Sequence, residues 1–229
     1  MEFGYWRVKG LIEPIRWLFR YLDLEVKEYN PSSFEEWAQK KPSIGGFPNL
    51  PYIKDGDFIL TETSAIPIYL IKKAGREDLL GKTIQDQAVL FQIDSVLRDI
   101  KDEYLKVLIL NEGHQEHLGK INEKGTPVYT KFEQISAFLG EKDYLLGYLT
   151  WIDLYLAFFV EKVSVYNHAN GAKGAVEDFP NIVNHSKRIK TIPKISDVVK
   201  ENKALPFVIP GTVKFKATTS EEYEANIAK

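Results

Sequence analysis

Strand-forming signals occupy only the first third of this chain, and that asymmetry narrows the folds open to it more than any other feature. Phe3-Gly4-Tyr5-Trp6-Arg7-Val8 is rich in strand formers and is closed by Lys9-Gly10. Residues 13–22 then carry Ile15, Leu18, Phe19 and Leu22 at helical spacing, with Pro14 tolerated in the first turn. Residues 25–29 alternate as a second strand, and a short polar helix is expected over 34–39. Asp55-Gly56 between the apolar runs Tyr52-Ile53 and Phe58-Ile59-Leu60 is a strong hairpin signal. A helix over 63–73, with Ala65, Ile66, Tyr69 and Leu70 on one face, completes the order βαβαββα. The first two strands are then parallel through a right-handed crossover, and the last two are antiparallel.

Pro51 stands at the entrance of the third strand, where a residue with fixed φ and no donor is tolerated. Between Pro48 and Pro51, Leu50 is positioned to offer its backbone N–H and C=O to an extended peptide. An X-Pro bond is cis in only about 5–6% of cases, so trans is the expectation for Leu50–Pro51.

Residues 76–82, between Gly75 and Gly81, read as a linker, dividing the chain into domains at 1–75 and 83–229. Beyond it the pattern is helical. Val89, Ile93, Val96, Ile100, Tyr104 and Val107 form one stripe of a long helix over 84–110, supported by Asp94–Arg98 and Asp102–Lys106 pairs. Residues 111–125 are polar and break it, and Tyr129, Phe132, Ile135 and Leu139 mark the next helix. Thr150 with Asp153 three residues on forms a capping box, and Leu149 with Leu154 a hydrophobic staple. The helix that follows is apolar nearly all round, which marks it as the core of its domain. Two further helices are expected at Phe179-Pro180 and Pro193-Lys194-Ile195, before a tail containing proline and glycine.

Composition excludes several functions. The chain has no cysteine, which removes disulfides, thiolate metal sites and a cysteine nucleophile. A strand order like that of thioredoxin without a redox thiol implies that any thiol chemistry acts on a thiol brought by a ligand. The net charge of −2 gives no reason to expect nucleic acid or an anionic membrane as partner. The most apolar segment, 151–166, is interrupted by Asp153, Glu161 and Lys162 and is too short to span a bilayer. The first residues lack the layout of a signal peptide, so a cytoplasmic protein is expected. His114 and His117 have helical spacing but polar surroundings, and no metal is expected.

Several motifs resemble the cytosolic glutathione transferases, and the mu class in particular. Gly4-Tyr5-Trp6-Arg7-Val8-Lys9-Gly10-Leu11 is similar to the opening strand of that class. Phe47-Pro48-Asn49-Leu50-Pro51-Tyr52 resembles the family's proline segment, and Glu62-Thr63-Ser64-Ala65-Ile66 its γ-glutamyl-binding turn. Gly147 to Asp153 resembles the capping box of the family's core helix, and Asp178-Phe179-Pro180-Asn181 a run that follows it. The resemblance implies a thioredoxin-like amino-terminal domain, an all-helical carboxy-terminal domain, glutathione as co-substrate and a homodimer. It assigns the catalytic hydroxyl to Tyr5, the walls of the glutathione pocket to Trp6 and Leu11, and donors to the glycyl carboxylate to Trp37 and Lys41. Asn49 supports the glycyl end, the Leu50 backbone beside Pro51 pairs with the cysteinyl residue, and Glu62 and Thr63 hold the γ-glutamyl group. Asp99 reaches the γ-glutamyl amine from the partner subunit, and Val8 and Ile109 face a small hydrophobic electrophile.

Each residue also has a plainer explanation. Tyr5, Trp6 and Leu11 suit core packing, Lys41 and Asp99 suit solvated surfaces, and Glu62-Thr63 suits a helix N-cap. The chain departs from the mu pattern at Arg7, where that class has an acidic residue, and at Glu62 and Thr63, where it has glutamine and serine. Residues 30–47 are shorter than in the class, and Ile109 replaces a hydroxyl. These departures describe a divergent relative. The activity implied is conjugation of glutathione to electrophiles, as in detoxification. A glutathione-dependent isomerase or reductase, a hydrophobic-ligand carrier, or a structural relative would use the same scaffold.

Overall fold

The computed structural model describes residues 1–214, 216 and 218–228. Four strands, β1 (Glu2–Gly4), β2 (Lys27–Tyr29), β3 (Tyr52–Asp55) and β4 (Phe58–Thr61), form one mixed sheet in the order β2-β1-β3-β4. β1 is parallel to β2 with Phe3 opposite Glu28, and antiparallel to β3 with Phe3 opposite Ile53. Asp55 is the last paired residue of β3, opposite Phe58, so the turn that closes the β3–β4 hairpin is Gly56-Asp57, one residue beyond the Asp55-Gly56 pair. α1 (Glu13–Tyr21) joins β1 to β2, α2 (Phe34–Lys40) follows β2, and α3 (Ala65–Lys73) follows the hairpin. This is the thioredoxin-like βαβαββα order expected from the strand and helix signals.

β1 stops at Gly4, short of the six-residue run rich in strand formers. A Cβ on Gly4 would lie 2.0 Å from the Tyr52 ring, so only glycine lets the strands approach here. Beyond Gly4 the Tyr5 N–H still reaches Tyr29 (3.0 Å), and then the chain turns away as an irregular loop to Ile12.

Beyond α3 the α-helices among the described residues are α4 (Ile84–Leu108), α5 (His114–Ile121), α6 (Pro127–Leu139), α7 (Trp151–Ala169), α8 (Pro180–Lys190), α9 (Ile195–Glu201) and α10 (Ser220–Ile227). The stretch read as a linker holds a 3-10 turn at Glu77–Leu80, pinned by the buried Leu79. Within the polar break after α4, Leu118 is buried and draws 114–121 into a short helix. Of the charge pairs expected on α4, Asp94–Arg98 forms at 2.8 Å, whereas Lys106 turns to Glu103 (2.7 Å).

α7 is buried from Trp151 to Asn167 except at Tyr155, and it packs against α1, α4 and α8. Its start is fastened by Asp153, which is completely buried. One carboxylate oxygen accepts from the Thr150 N–H (2.8 Å) and hydroxyl (2.6 Å). The other accepts from the Leu145 N–H (2.8 Å) and from His185 Nε2 on α8 (2.8 Å).

The tail is more ordered than its composition suggests. Thr219 and Glu222 cap α10, a box visible in the sequence but masked by polar surroundings. Phe207 is fully buried and stacks on Phe158 (centroids 6.0 Å apart). The backbone there accepts from the loop after β1: Lys9 N–H to Pro206 O (2.8 Å) and Gly10 N–H to Phe207 O (3.2 Å). Buried Lys9 and Glu161 form an ion pair (3.2 Å), and both bond the Ser220 hydroxyl at the start of α10.

Candidate functional site

Tyr5 lies on the loop after β1, 9% exposed, with its ring over Gly10. Gly10 has φ +55°, and a Cβ there would lie 2.5 Å from the Tyr5 hydroxyl, so glycine is required on both counts. Burial raises the phenol pKa, opposed by the Leu11 backbone N–H and by the charge of Arg16. The phenol is therefore neutral near pH 7, with its oxygen accepting from Leu11 and its own proton left to donate.

Arg16, on α1, organises this loop and was not marked by any sequence pattern. Its guanidinium donates to the Val8 carbonyl (2.8 Å) and pairs with Glu28 (2.6 Å) and Glu13 (3.1 Å). Asn30 donates to the Tyr5 carbonyl (2.9 Å). Trp6 is half-buried against Phe34 (4.9 Å), Leu11 is half-buried, and Val8 is buried.

A second group lines up along α2 and the entrance to β3. Trp37 stacks on Tyr52 (6.3 Å, 15°). Lys40 is held by Glu2 (3.7 Å) and by the Tyr29 ring, while Lys41 is exposed and has no ion pair among the described residues. Asn49 is exposed and Leu50 half-buried. The Leu50–Pro51 peptide is cis, against the expectation from base rates. Among the described residues neither the N–H nor the C=O of Leu50 is engaged in a hydrogen bond.

The turn before α3 forms the third group. Glu62 is exposed with φ +78°, a conformation non-glycine residues seldom adopt, and its carbonyl accepts from Ala65 (3.2 Å) and Ile66 (3.1 Å). The helix is capped by Ser64 rather than Thr63. The Ser64 hydroxyl turns away from the cap to donate to Asp94 on α4 (2.9 Å), and Tyr155 on α7 donates to the Thr63 carbonyl (2.7 Å). Helices of the second domain thus hold this turn in place.

Leu11 and Thr63 meet at a cavity of about 60 Å³ between the first domain and α4 and α7, with Lys101, Phe158 and Lys162 opposite. Asp99 and Ile109 lie elsewhere. Asp99 is exposed and pairs with Lys131 of α6 (3.0 Å), and Ile109 caps the carboxy end of α4, 80% exposed. Among the described residues no cluster of three or more His, Asp or Glu could hold a metal ion, and no helix is long and apolar enough to cross a membrane.

Comparison with known proteins bears directly on this arrangement. Residues 1–72 match the glutathione S-transferase amino-terminal domain, and residues 98–202 the glutathione S-transferase carboxy-terminal domain. The chain is 30% identical to Glutathione S-transferase Mu 1 of Oryctolagus cuniculus, over 89% of this chain and 92% of that protein. It is 26% identical to the Glutathione S-transferase class-mu 26 kDa isozyme of Schistosoma mansoni, over 92% of this chain and 93% of that one. Among solved structures, the glutathione S-transferase Blo t 8 superposes with a TM-score of 0.78 at 26% identity, over 92% of this chain and 97% of that chain.

Proposed function

Because the chain belongs to the glutathione S-transferase family, as a divergent mu-like member and a transferase that takes glutathione as co-substrate, we propose that it joins the glutathione thiolate to small hydrophobic electrophiles with Tyr5 as the activating hydroxyl. The observation that carries this reading is the Tyr5 phenol itself. It is kept neutral by burial and supplied with a donor by Leu11, beside the cavity that Leu11 shares with Thr63.

A free thiol with a pKa near ~8.5 is only a few per cent ionised at neutral pH, and the thiolate is the nucleophile. A phenol donating to the bound sulfur favours the charged form. One charge-assisted hydrogen bond contributes roughly 1.5–3 kcal/mol, and each pKa unit is about 1.36 kcal/mol, so Tyr5 alone accounts for one to two units. The thiolate attacks the electrophilic carbon, a C–S bond forms, and in a substitution the leaving group departs with its electron pair.

The remaining roles follow the three groups. Trp37 and Lys41 donate to the glycyl carboxylate with Asn49 beside them, and the free Leu50 backbone next to Pro51 pairs with the cysteinyl residue. Glu62 and Thr63 take the γ-glutamyl end at the amino terminus of α3, where anions are favoured. Trp6 and Leu11 wall the peptide, Val8 and Ile109 belong to the electrophile's side, and Asp99 serves the partner subunit of a cytoplasmic homodimer.

Tyr5→Phe keeps the ring and tests the mechanism. Glutathione is expected still to bind, while kcat at neutral pH falls roughly tenfold to a hundredfold, with the deficit shrinking as pH rises. Thiolate absorbance of bound glutathione, titrated in both proteins, decides the matter: superimposable curves would show that another donor activates the sulfur.

A further inference from the structure

Glu161 and Lys162 break an otherwise apolar α7, and the structure sends them opposite ways. Glu161 is compensated by Lys9 (3.2 Å), Lys190 (3.4 Å) and Ser220. Lys162 is 96% buried, given its 4% exposure, and no carboxylate pairs with it among the described residues. Its Nζ donates to the Gly10 carbonyl (3.0 Å) and lies 5.4 Å from the Tyr166 ring centre. Across the cavity stands Lys101 of α4, whose nearest acid is its exposed neighbour Asp102 at 3.6 Å. Burial lowers the Lys162 pKa to about 7, and the charge of Lys101 adds to the effect.

The other groups facing this space do not neutralise the two amines. On α4, Asp94 is already committed to Ser64 (2.9 Å) and Arg98 (2.8 Å). On α7, Tyr155 lines the void and Tyr166 lies beside Lys162, both phenols whose pKa values burial raises. From the first domain come the uncharged Leu11, Thr63 and Ser64. Two lysine amines thus face one void, with the Arg98 guanidinium (paired with Asp94) also in its lining and apolar walls from Leu97, Phe158 and Phe159. A water needs only roughly 10–15 Å³ of such space, so the void, at about 60 Å³, admits several waters or a small acid group.

We propose that Lys101 and Lys162 form a receptor for a carboxylate carried by the second substrate, so that this transferase acts on electrophilic hydrophobic acids. The inference rests on the reading of Tyr5 as the glutathione site. An anion between the amines relieves their mutual repulsion and replaces water with two charge-assisted hydrogen bonds. Gly10 is the common neighbour of the Tyr5 hydroxyl and the Lys162 amine, which places the carboxylate and the reacting carbon on one small molecule. The γ-glutamyl carboxylate of glutathione shares the same chemistry, and the assay separates the two sources.

The test compares 4-chloro-3-nitrobenzoate with 1-chloro-2,4-dinitrobenzene in the wild type, Lys162→Met and Lys101→Met. The ratio of kcat/KM, acid over neutral, is expected to fall about tenfold or more in each variant. An unchanged ratio overturns the proposal. So does an equal loss for both electrophiles with a raised glutathione KM, which would assign the amines to glutathione. Lys101 is part-exposed, so its variant keeps the test available if the buried Lys162→Met does not fold. A second arm involves no turnover and therefore stands apart from thiolate chemistry at Tyr5. Wild-type protein saturated with S-methylglutathione is titrated with 3-nitrobenzoate or 3-nitrobenzamide by calorimetry at pH 7.5, in two buffers of different ionisation enthalpy. The acid is expected to bind more tightly and, because Lys162 titrates near 7, with uptake of on the order of half a proton. Equal binding of acid and amide, or binding without proton uptake, overturns it.

Discussion

Asp153→Ala tests whether the start of α7 is the point from which the helical domain is tied together. A capping residue alone contributes about 0.5–2 kcal/mol. Here the carboxylate does more, since it also receives the Leu145 N–H and the His185 ring, both buried. Removing it leaves four donors without their acceptor, the N–H groups of Leu145 and Thr150, the Thr150 hydroxyl and His185 Nε2, at a cost of about 1–3 kcal/mol for each that finds no replacement. Relaxation and water entry reduce the sum, and breaking a buried charged hydrogen-bonded pair typically costs about 3–5 kcal/mol. For a chain of this length about 1 kcal/mol moves Tm by roughly 2–4 °C, so a fall of roughly 6–20 °C is expected. Differential scanning calorimetry should be run beside Thr150→Ala, which loses only the hydroxyl and should fall by a few degrees. If both variants melt together, the bonds from Asp153 to Leu145 and His185 contribute nothing and the reasoning fails.

Three other predictions follow from the site. Gly10→Ala should lower kcat at least as much as Tyr5→Phe while the protein stays folded, because its methyl displaces the Tyr5 hydroxyl; near-normal turnover would show that the hydroxyl's position is immaterial. Lys162 has a folded pKa of about 7, below the ordinary ~10.4 of the unfolded chain, so between those values the unfolded state binds more protons and the contribution of Lys162 to stability rises with pH. Below pH 7 both states are charged and the contribution is flat at its least favourable. In urea, the stability difference between wild type and Lys162→Met should move toward the wild type by on the order of 2 kcal/mol between pH 6.5 and 9; a pH-independent difference would refute the assignment. Sedimentation should show a dimer at micromolar concentration, and Asp99→Ala should raise the glutathione KM more than it lowers kcat. A monomer, or a variant with unchanged KM, would leave Asp99 as a partner of Lys131 only.

What was legible in the sequence was local. The hairpin at Asp55-Gly56, the Thr150–Asp153 box and the apolar face of α4 depend on neighbours within a few residues and appear close to where their patterns lie, although on α4 Leu90 and Leu97 are buried where Val89 and Val96 of the expected stripe are only half-buried. The absence of cysteine alone directed thiol chemistry toward a ligand. Tertiary structure decided what depends on residues far apart in the chain. β1 ends where the Tyr52 ring closes over Gly4, the tail becomes a packed strap because Phe207 and Ser220 find partners far back in the chain, at Phe158 and at Lys9, the latter 211 residues away, and Asp99 turns toward Lys131. Lys162 shows the difference best. In sequence it is a charge interrupting an apolar helix. Only the folding of α7 against Gly10 and α4 removes its water, lowers its proton affinity and sets it opposite Lys101, because desolvation and like-charge repulsion belong to the assembled environment and not to the residue.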